Sequence, residues 1–329
     1  MIELLRNTQA YRLLNKESAG NNCSHAYLLL FDDARNLRSA LKEFAKILFQ
    51  CADIDEYLEE AEDKARIAKL IDEESFADCL FFPAEGKKLA VEDAEKIREE
   101  SVLSPIEGDR KVFVLGDFSE ANTQTQNKLL KMLEEPPQGM VFLLGATTVF
   151  PVLPTVLSRT KRLEILPFDI KEVENALHRI YGKKYDSDTL QLCAAASGGV
   201  LGEAQNILEG GYYKTLAEGA FSLCLSSEDK LPLAVRAIGE TKYKKELLSL
   251  LRLIFRDALL IKTEKSECKK SLLLRSEKEK IEKIAEKYTL SALLYAQEAI
   301  SDAEMQVQFN AVFPQCIELC IANIRQKNK

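Results

Sequence analysis

The sequence of 329 residues contains no tryptophan and only two histidines, His25 and His178. Although the chain has eight cysteines, a zinc site has almost no ligand set to draw on. The closest pair of cysteines, Cys316 and Cys320, lies four residues apart in a helical pattern. We therefore expect no bound metal, and we expect the cysteines to be buried as small hydrophobic residues in a reducing cytoplasm.

Long apolar runs and an excess of positive charge are also missing. No run approaches the roughly 20 apolar residues that a membrane-spanning helix needs. Residues 1–18 lack the apolar stretch and the small-residue cleavage site of a signal peptide. The net charge of −7 argues against a protein that binds nucleic acid alone through a broad basic face. These features predict a soluble cytoplasmic protein with no membrane partner.

In the first half of the chain, short apolar runs alternate with segments of helical periodicity. The predicted strands are 26–31, 78–83, 111–118, 139–148 and 161–166, and the predicted helices are 37–49, 91–103 and 121–137. Such alternation predicts a mostly parallel α/β sheet with helices on both faces. After residue 168 the strand pattern stops, and helical periodicity continues to the end of the sequence.

Residues 127–165 contain a specific series of motifs. A segment that ends Leu-Glu-Glu-Pro-Pro (133–137) precedes a strand that ends in threonine, and Leu-Pro-Thr (153–155) and Ser-Arg-Thr (158–160) follow. This series resembles the AAA+ core of bacterial clamp loaders, over about the first 210 residues. The resemblance implies a P-loop NTPase-like α/β domain over 1–167, a helical lid over 168–210 and an all-α collar over 211–329.

The first strand–turn–helix unit departs from this family. Its ATP-hydrolysing members have a glycine-rich G-x-x-x-x-G-K-[ST] loop whose backbone and lysine hold the phosphates. Here the turn within residues 31–38 has no glycine, and it carries Asp32 and Asp33 where an anion would lie. The position of the phosphate-binding lysine falls on or beside Leu37.

Further positions of the family's nucleotide site are altered. The aspartate that positions Mg²⁺ aligns with Gly116, beside which Asp117 remains, and the lid-helix arginine aligns with Glu203. Residues 53–74 stand where the family usually has a four-cysteine zinc module. Each change at the nucleotide site removes or reverses a charge that ATP-Mg²⁺ requires. The resemblance therefore implies a subunit that binds no ATP.

Ser158 and Arg159 match the family's Ser-Arg-Cys motif, with Thr160 in place of cysteine. The resemblance implies that Arg159 is an arginine finger, which acts in trans on ATP in a neighbouring subunit, and that Ser158 supports it. The alternative is a surface arginine that pairs with Glu164 or Glu174.

Three more residues have simpler interpretations. Thr147 and Thr148 resemble the family's sensor at the end of a strand, but without a nucleotide we expect them to cap the backbone. His25 opens the first strand, where a hydrogen-bonded structural role is expected.

The resemblance implies a non-ATP-binding subunit of the DNA polymerase III clamp loader, with no enzymatic activity of its own. Its expected partners are gamma/tau and delta subunits, which would hold ATP and Mg²⁺, and indirectly the sliding clamp and primer-template DNA. Two alternatives stay open. One is an active AAA+ ATPase with an atypical nucleotide site, and the other is an AAA+-derived adaptor.

Overall fold

The computed structural model describes residues 1–52, 61–263 and 272–328, apart from the side chain of Tyr213. The chain forms two compact units, Met1–Pro167 and Phe168–Lys329. A lid and a collar divided at residue 210 stay a prediction. Cys268, and residues 53–60 of the stretch that replaces the zinc module, lie outside the described residues.

A parallel β-sheet forms the centre of the first unit. Its strands are β1 (Ala26–Phe31), β2 (Cys79–Phe82), β3 (Lys111–Leu115), β4 (Met140–Ala146) and β5 (Lys161–Ile165). They lie in the order β2-β3-β4-β1-β5, and every neighbouring pair is parallel. The carboxyl ends of all five strands therefore lie along one edge of the sheet. The predicted α/β fold is confirmed.

Helices surround this sheet. They are α1 (Ile2–Arg6), α2 (Gln9–Ala19), α3 (Leu37–Leu48), α4 (Ala61–Asp72), α5 (Val91–Glu100), α6 (Thr123–Glu134) and α7 (Pro154–Leu157). Local sequence explains several of their ends. The side chain of Asn122 accepts a 2.8 Å hydrogen bond from the backbone N–H of Thr125 and so begins α6. Pro136 and Pro137 follow its end, because proline cannot continue a helix.

The middle of the sheet is buried on both faces, as its nearly continuous apolar strands predict. The rings of Phe113 on β3 and Phe142 on β4 stack with centroids 5.3 Å apart. Gly145 on β4 lets α3 approach closely, since a Cβ at this position would lie 2.7 Å from Cδ1 of Leu41. This contact places the N-terminus of α3 at the carboxyl edge of the sheet.

The second unit is helical throughout its described residues. Its helices are α8 (Ile170–Tyr181), α9 (Ser187–Ala196), α10 (Leu201–Gly210), α11 (Tyr213–Leu225), α12 (Leu231–Ile238), α13 (Lys244–Thr263), α14 (Lys278–Lys287), α15 (Leu290–Gln308) and α16 (Phe313–Gln326). The long helix α13 packs against α14 and α15, and α15 packs against α16. The predicted all-α character is confirmed. Among the described helices, none has the length and apolar character to span a bilayer.

The described cysteines are free thiols, and all of them except the half-buried Cys23 are buried. Burial raises the pKa of Cys51 and of Cys193 to about 12, so these thiols are protonated at neutral pH. The prediction that the cysteines are buried as small hydrophobic residues is confirmed for the described cysteines other than Cys23. In residues 1–52, 61–263 and 272–328, no three His, Cys, Asp or Glu side chains form a metal-binding group.

We predict that Gly145→Ala destabilises the protein by about 1–3 kcal/mol, because the added methyl group overpacks a buried contact. Leu41 has no exposed surface and little room to move away. Urea unfolding followed by circular dichroism measures the change. Gly108→Ala is the matched control, since a Cβ there meets nothing closer than 3.9 Å. Equal stability of the two variants would contradict the importance of this close approach.

Candidate functional site

The carboxylate of Asp33 lies at the N-terminus of α3. Asp33 is only 2% exposed. Its Oδ1 accepts a 3.0 Å hydrogen bond from the backbone N–H of Asn36, and its Oδ2 accepts one of 2.8 Å from Asn36 Nδ2. Asn36 directly precedes the helix. A helix N-terminus favours an anion, and P-loop proteins use this position for phosphate. Here the chain supplies its own carboxylate.

An apolar residue occupies the position that aligns with the phosphate-binding lysine, and the arginine next to it pairs with a carboxylate of the same chain. Leu37, the first residue of α3, is 3% exposed and packs beside Gly145 of β4. The next residue, Arg38, donates hydrogen bonds of 2.6 and 2.5 Å to the carboxylate of Glu74. Burial opposes ionisation of Glu74, but the hydrogen bonds from Arg38 and Lys42 outweigh it and hold its pKa below the usual range.

Gly116 and Asp117 follow β3, where the family would place its Mg²⁺-positioning aspartate. Gly116 has no side chain to offer, and its N–H donates to the carbonyl of Phe82 at 2.7 Å. Asp117 accepts hydrogen bonds from the hydroxyl of Thr147 at 3.1 Å and from the backbone N–H of Ser119 at 3.2 Å. It also accepts one from the hydroxyl of Ser119. Both oxygens of this carboxylate therefore bind donors of the same chain.

Thr147 and Thr148 act differently from each other at the end of β4. The expectation that both cap the backbone is wrong for Thr147, whose hydroxyl binds a carboxylate. The expectation is confirmed for Thr148, since its hydroxyl accepts a 3.4 Å hydrogen bond from the backbone N–H of Phe150. His25 has the predicted structural role, with its Nε2 lying 3.1 Å from the carbonyl of Leu133.

A small cavity lies at the same edge of the sheet. Leu37, Arg38, Gly116 and Asp117 are among the residues that line it, and its volume is about 140 Å³. Small-molecule sites usually measure about 300–1,000 Å³. This cavity is therefore smaller than a usual small-molecule site.

Glu203 lies in the second unit, in the first turn of α10. Its neighbour in that unit is another acid, Glu246 of α13. Burial and the nearby carboxylate of Glu203 raise the pKa of Glu246. The position that aligns with the family's lid arginine is thus acidic, and its surroundings add further negative charge.

Arg159 is held by neighbours of its own unit. Its Nη1 donates to the carbonyl of Thr155 at 2.8 Å and to Oγ of Ser158 at 3.1 Å. Its Nη2 lies 2.6 Å from Oε1 of Glu134. The side chains of Arg159 and Glu134 are 34% and 43% exposed. Ser158 thus contacts the guanidinium of Arg159, and a role of these two residues in trans stays a prediction.

Sequence reasoning missed Glu134. It named Glu164 and Glu174 as possible partners of Arg159, whereas the carboxylate in contact is that of Glu134. This residue belongs to the Leu-Glu-Glu-Pro-Pro segment already singled out, which was the available signal.

The first unit is thus a parallel α/β domain in which a carboxylate of the same chain lies beside the start of the helix that follows the first strand. Residues 6–169 match the family described as "DNA polymerase III, delta subunit". This match covers nearly all of the first unit of the chain, Met1–Pro167.

Curated relatives agree with this family. Tau subunits of DNA polymerase III from Escherichia coli and Bacillus subtilis are 29% and 26% identical over 52% and 56% of this chain. The chain spans only 28% and 33% of their lengths. A gamma subunit-related crystal structure from Thermotoga maritima aligns over 96% of this chain and 99% of its own, with 16% identity and a TM-score of 0.40. The similarity to DNA polymerase III subunits is therefore carried by the sequence matches.

We predict that Asp33→Ala costs about 0.5–2 kcal/mol of stability, the usual range for losing a side chain that accepts a backbone hydrogen bond at the start of a helix. The change would leave the N–H of Asn36 without its side-chain acceptor. Thermal or urea unfolding measures the cost. Asp32→Ala is the control, because Asp32 is exposed and carries the same charge. If both variants were equally stable, Asp33 would not be the anion that completes α3.

Proposed function

We propose that this chain is a delta-prime-type subunit of the DNA polymerase III clamp loader that binds no ATP itself. In this role it supports loading of the sliding clamp onto primed DNA and supplies Arg159 in trans to a neighbouring ATPase subunit. The single observation that carries the proposal is the buried Asp33 carboxylate at the N-terminus of α3.

The charges around that carboxylate oppose a triphosphate. Two like unit charges 4 Å apart repel by about 4 kcal/mol at an effective dielectric constant of 20. A phosphate at the N-terminus of α3 would meet Asp33 at such a distance, without a lysine at position 37 to balance it. Arg38 is engaged by Glu74, and Asp117 is engaged by Thr147 and Ser119.

Arg159 differs from these groups because it is partly exposed. Its planar guanidinium can form two parallel hydrogen bonds to phosphate oxygens. An arginine finger supplied in trans raises hydrolysis by about 10³–10⁵ in GTPases. A chain that holds no nucleotide can therefore still serve the ATP of a neighbour.

The proposed partners are gamma/tau-type subunits, which would hold ATP and Mg²⁺, and a delta subunit. The sliding clamp and primer-template DNA are proposed as indirect partners. In this scheme the chain holds neither a cofactor nor a metal, and it acts as an accessory subunit of the polymerase complex without independent activity.

We predict that the isolated full-length chain does not bind ATP-Mg²⁺ at micromolar concentrations. Isothermal titration calorimetry tests this, with the cognate gamma/tau-type subunit as the positive control. Clear one-to-one binding by this chain would instead favour the alternative of an active ATPase with an atypical site. An adaptor unrelated to replication would be recognised by a native pull-down that recovers no clamp-loader subunit.

We predict that Arg159→Ala lowers DNA-stimulated ATP hydrolysis by the reconstituted complex only partly, because one site loses its finger and others keep theirs. Clamp loading should fall more steeply if every site must act in order. Arg159→Lys should restore little, since an ammonium lacks the forked geometry. Steady-state ATPase and loading rates measure both effects.

Arg162→Ala is the matched control, because Arg162 is an exposed arginine three residues further along, on β5. Gel filtration must first verify that each variant assembles. Unchanged rates in an assembled Arg159→Ala complex would mean that this arginine has no role in trans.

A further inference from the structure

We infer that Glu134 is a counter-ion within the same chain that restrains Arg159, and that an anion from a neighbouring subunit must displace it before the arginine can act. This inference rests on the proposed function of Arg159. It adds that the Glu134–Arg159 ion pair controls when the guanidinium can bind an anion of the neighbouring subunit.

Hydrogen bonds between α6 and the segment before α7 fix the positions of Glu134 and Arg159 relative to each other. Gln126 on α6 is 1% exposed, and its side chain binds the segment that leads into α7. Its Nε2 donates to the carbonyl of Pro151 at 3.0 Å, and its Oε1 accepts from the backbone N–H of Leu153 at 2.9 Å. Because α6 and α7 are fixed to each other in this way, Glu134 at the end of α6 meets Arg159 just after α7.

Helix electrostatics alone would disfavour a carboxylate at the position of Glu134. It is the last residue of α6, and Glu135 follows it. The C-terminus of a helix carries partial negative charge, so it favours cations and disfavours acids. Arg159 supplies the compensating positive charge. The position of Glu134 is therefore accounted for by its contact with the arginine and not by stabilisation of α6.

The charge of Glu134 makes it a competitor for any anion that approaches Arg159. While the pair is closed, the guanidinium and the carboxylate together are neutral, and an incoming phosphate meets a like charge beside the cation. Opening the pair is inexpensive, because both side chains are partly exposed and exposed ion pairs are weak. The carbonyl of Thr155 and the hydroxyl of Ser158 still hold Nη1 when Glu134 leaves.

The test is Glu134→Gln in the reconstituted complex with its cognate ATP-binding subunits. The amide keeps the size of the side chain and removes its charge. We expect kcat/KM for ATP to rise about two- to five-fold, which corresponds to the usual strength of an exposed ion pair. Glu135→Gln is the matched control, because it makes the same change of charge one residue away and should leave kcat/KM unchanged. In an Arg159→Ala background, the effect of Glu134→Gln should vanish.

A second measurement observes the pair without any partner. In the isolated full-length chain labelled with ¹⁵N-arginine, the Nη signals of Arg159 report how freely its guanidinium rotates. Arg159→Lys identifies these signals by their loss. We expect rotation to be faster in Glu134→Gln than in the wild type, and to be unchanged in Glu135→Gln.

The outcomes separate this inference from the proposed function. Unchanged rotation in Glu134→Gln would overturn the counter-ion alone, even where Arg159→Ala lowers ATP hydrolysis. A fall in kcat/KM for Glu134→Gln would make Glu134 a residue that positions the arginine, and would also overturn the inference. An equal rise for Glu135→Gln would do the same by revealing a general effect of charge. If Arg159→Ala changed nothing, the proposed function would fail and this inference with it.

Discussion

The buried carboxylate of Asp33 at the N-terminus of α3 is the constraint on which the arrangement of the first unit depends. The helix N-terminus needs an acceptor for its N–H groups and favours a negative charge. A ligand that supplies such a charge stabilises a fold only in proportion to its concentration and affinity. A carboxylate built into the chain is always present, so the turn that leads into α3 has this acceptor without any ligand.

The same principle extends along the carboxyl edge of the sheet. Asp117 joins the ends of β3 and β4 through Thr147, and Arg38 joins α3 to Glu74 near the end of α4. Groups at the positions that would bind phosphate and metal are thus satisfied by one another. Since buried polar groups are costly to leave unpaired, these contacts stabilise the strand ends in one arrangement.

The sequence predicted local features well and distant pairings poorly. The predicted bounds of β1 are the observed ones, and the helix predicted over 37–49 ends one residue earlier, because apolar spacing is a local signal. The sequence also placed Asp33 at the anion position, but only as a repelling charge. Its hydrogen bonds to Asn36, three residues later, were a recognisable capping pattern. The contact between Arg159 and Glu134 spans α6, β4 and α7, so only the folded arrangement reveals it.

Arg159 is connected to the turn that holds Asp33 through the sheet itself. It lies between α7 and β5, and β5 pairs with β1 in a register that places Lys161 opposite Tyr27 and Glu164 opposite Leu30. The turn that holds Asp33 directly follows β1. The strand that directly follows Arg159 therefore pairs with the strand that directly precedes Asp33. A guanidinium that acts across a subunit boundary needs such a rigid base, because small displacements weaken two-pronged contacts. The hydrogen bonds at the carboxyl edge of the sheet and the partly exposed Arg159 thus belong to one scaffold.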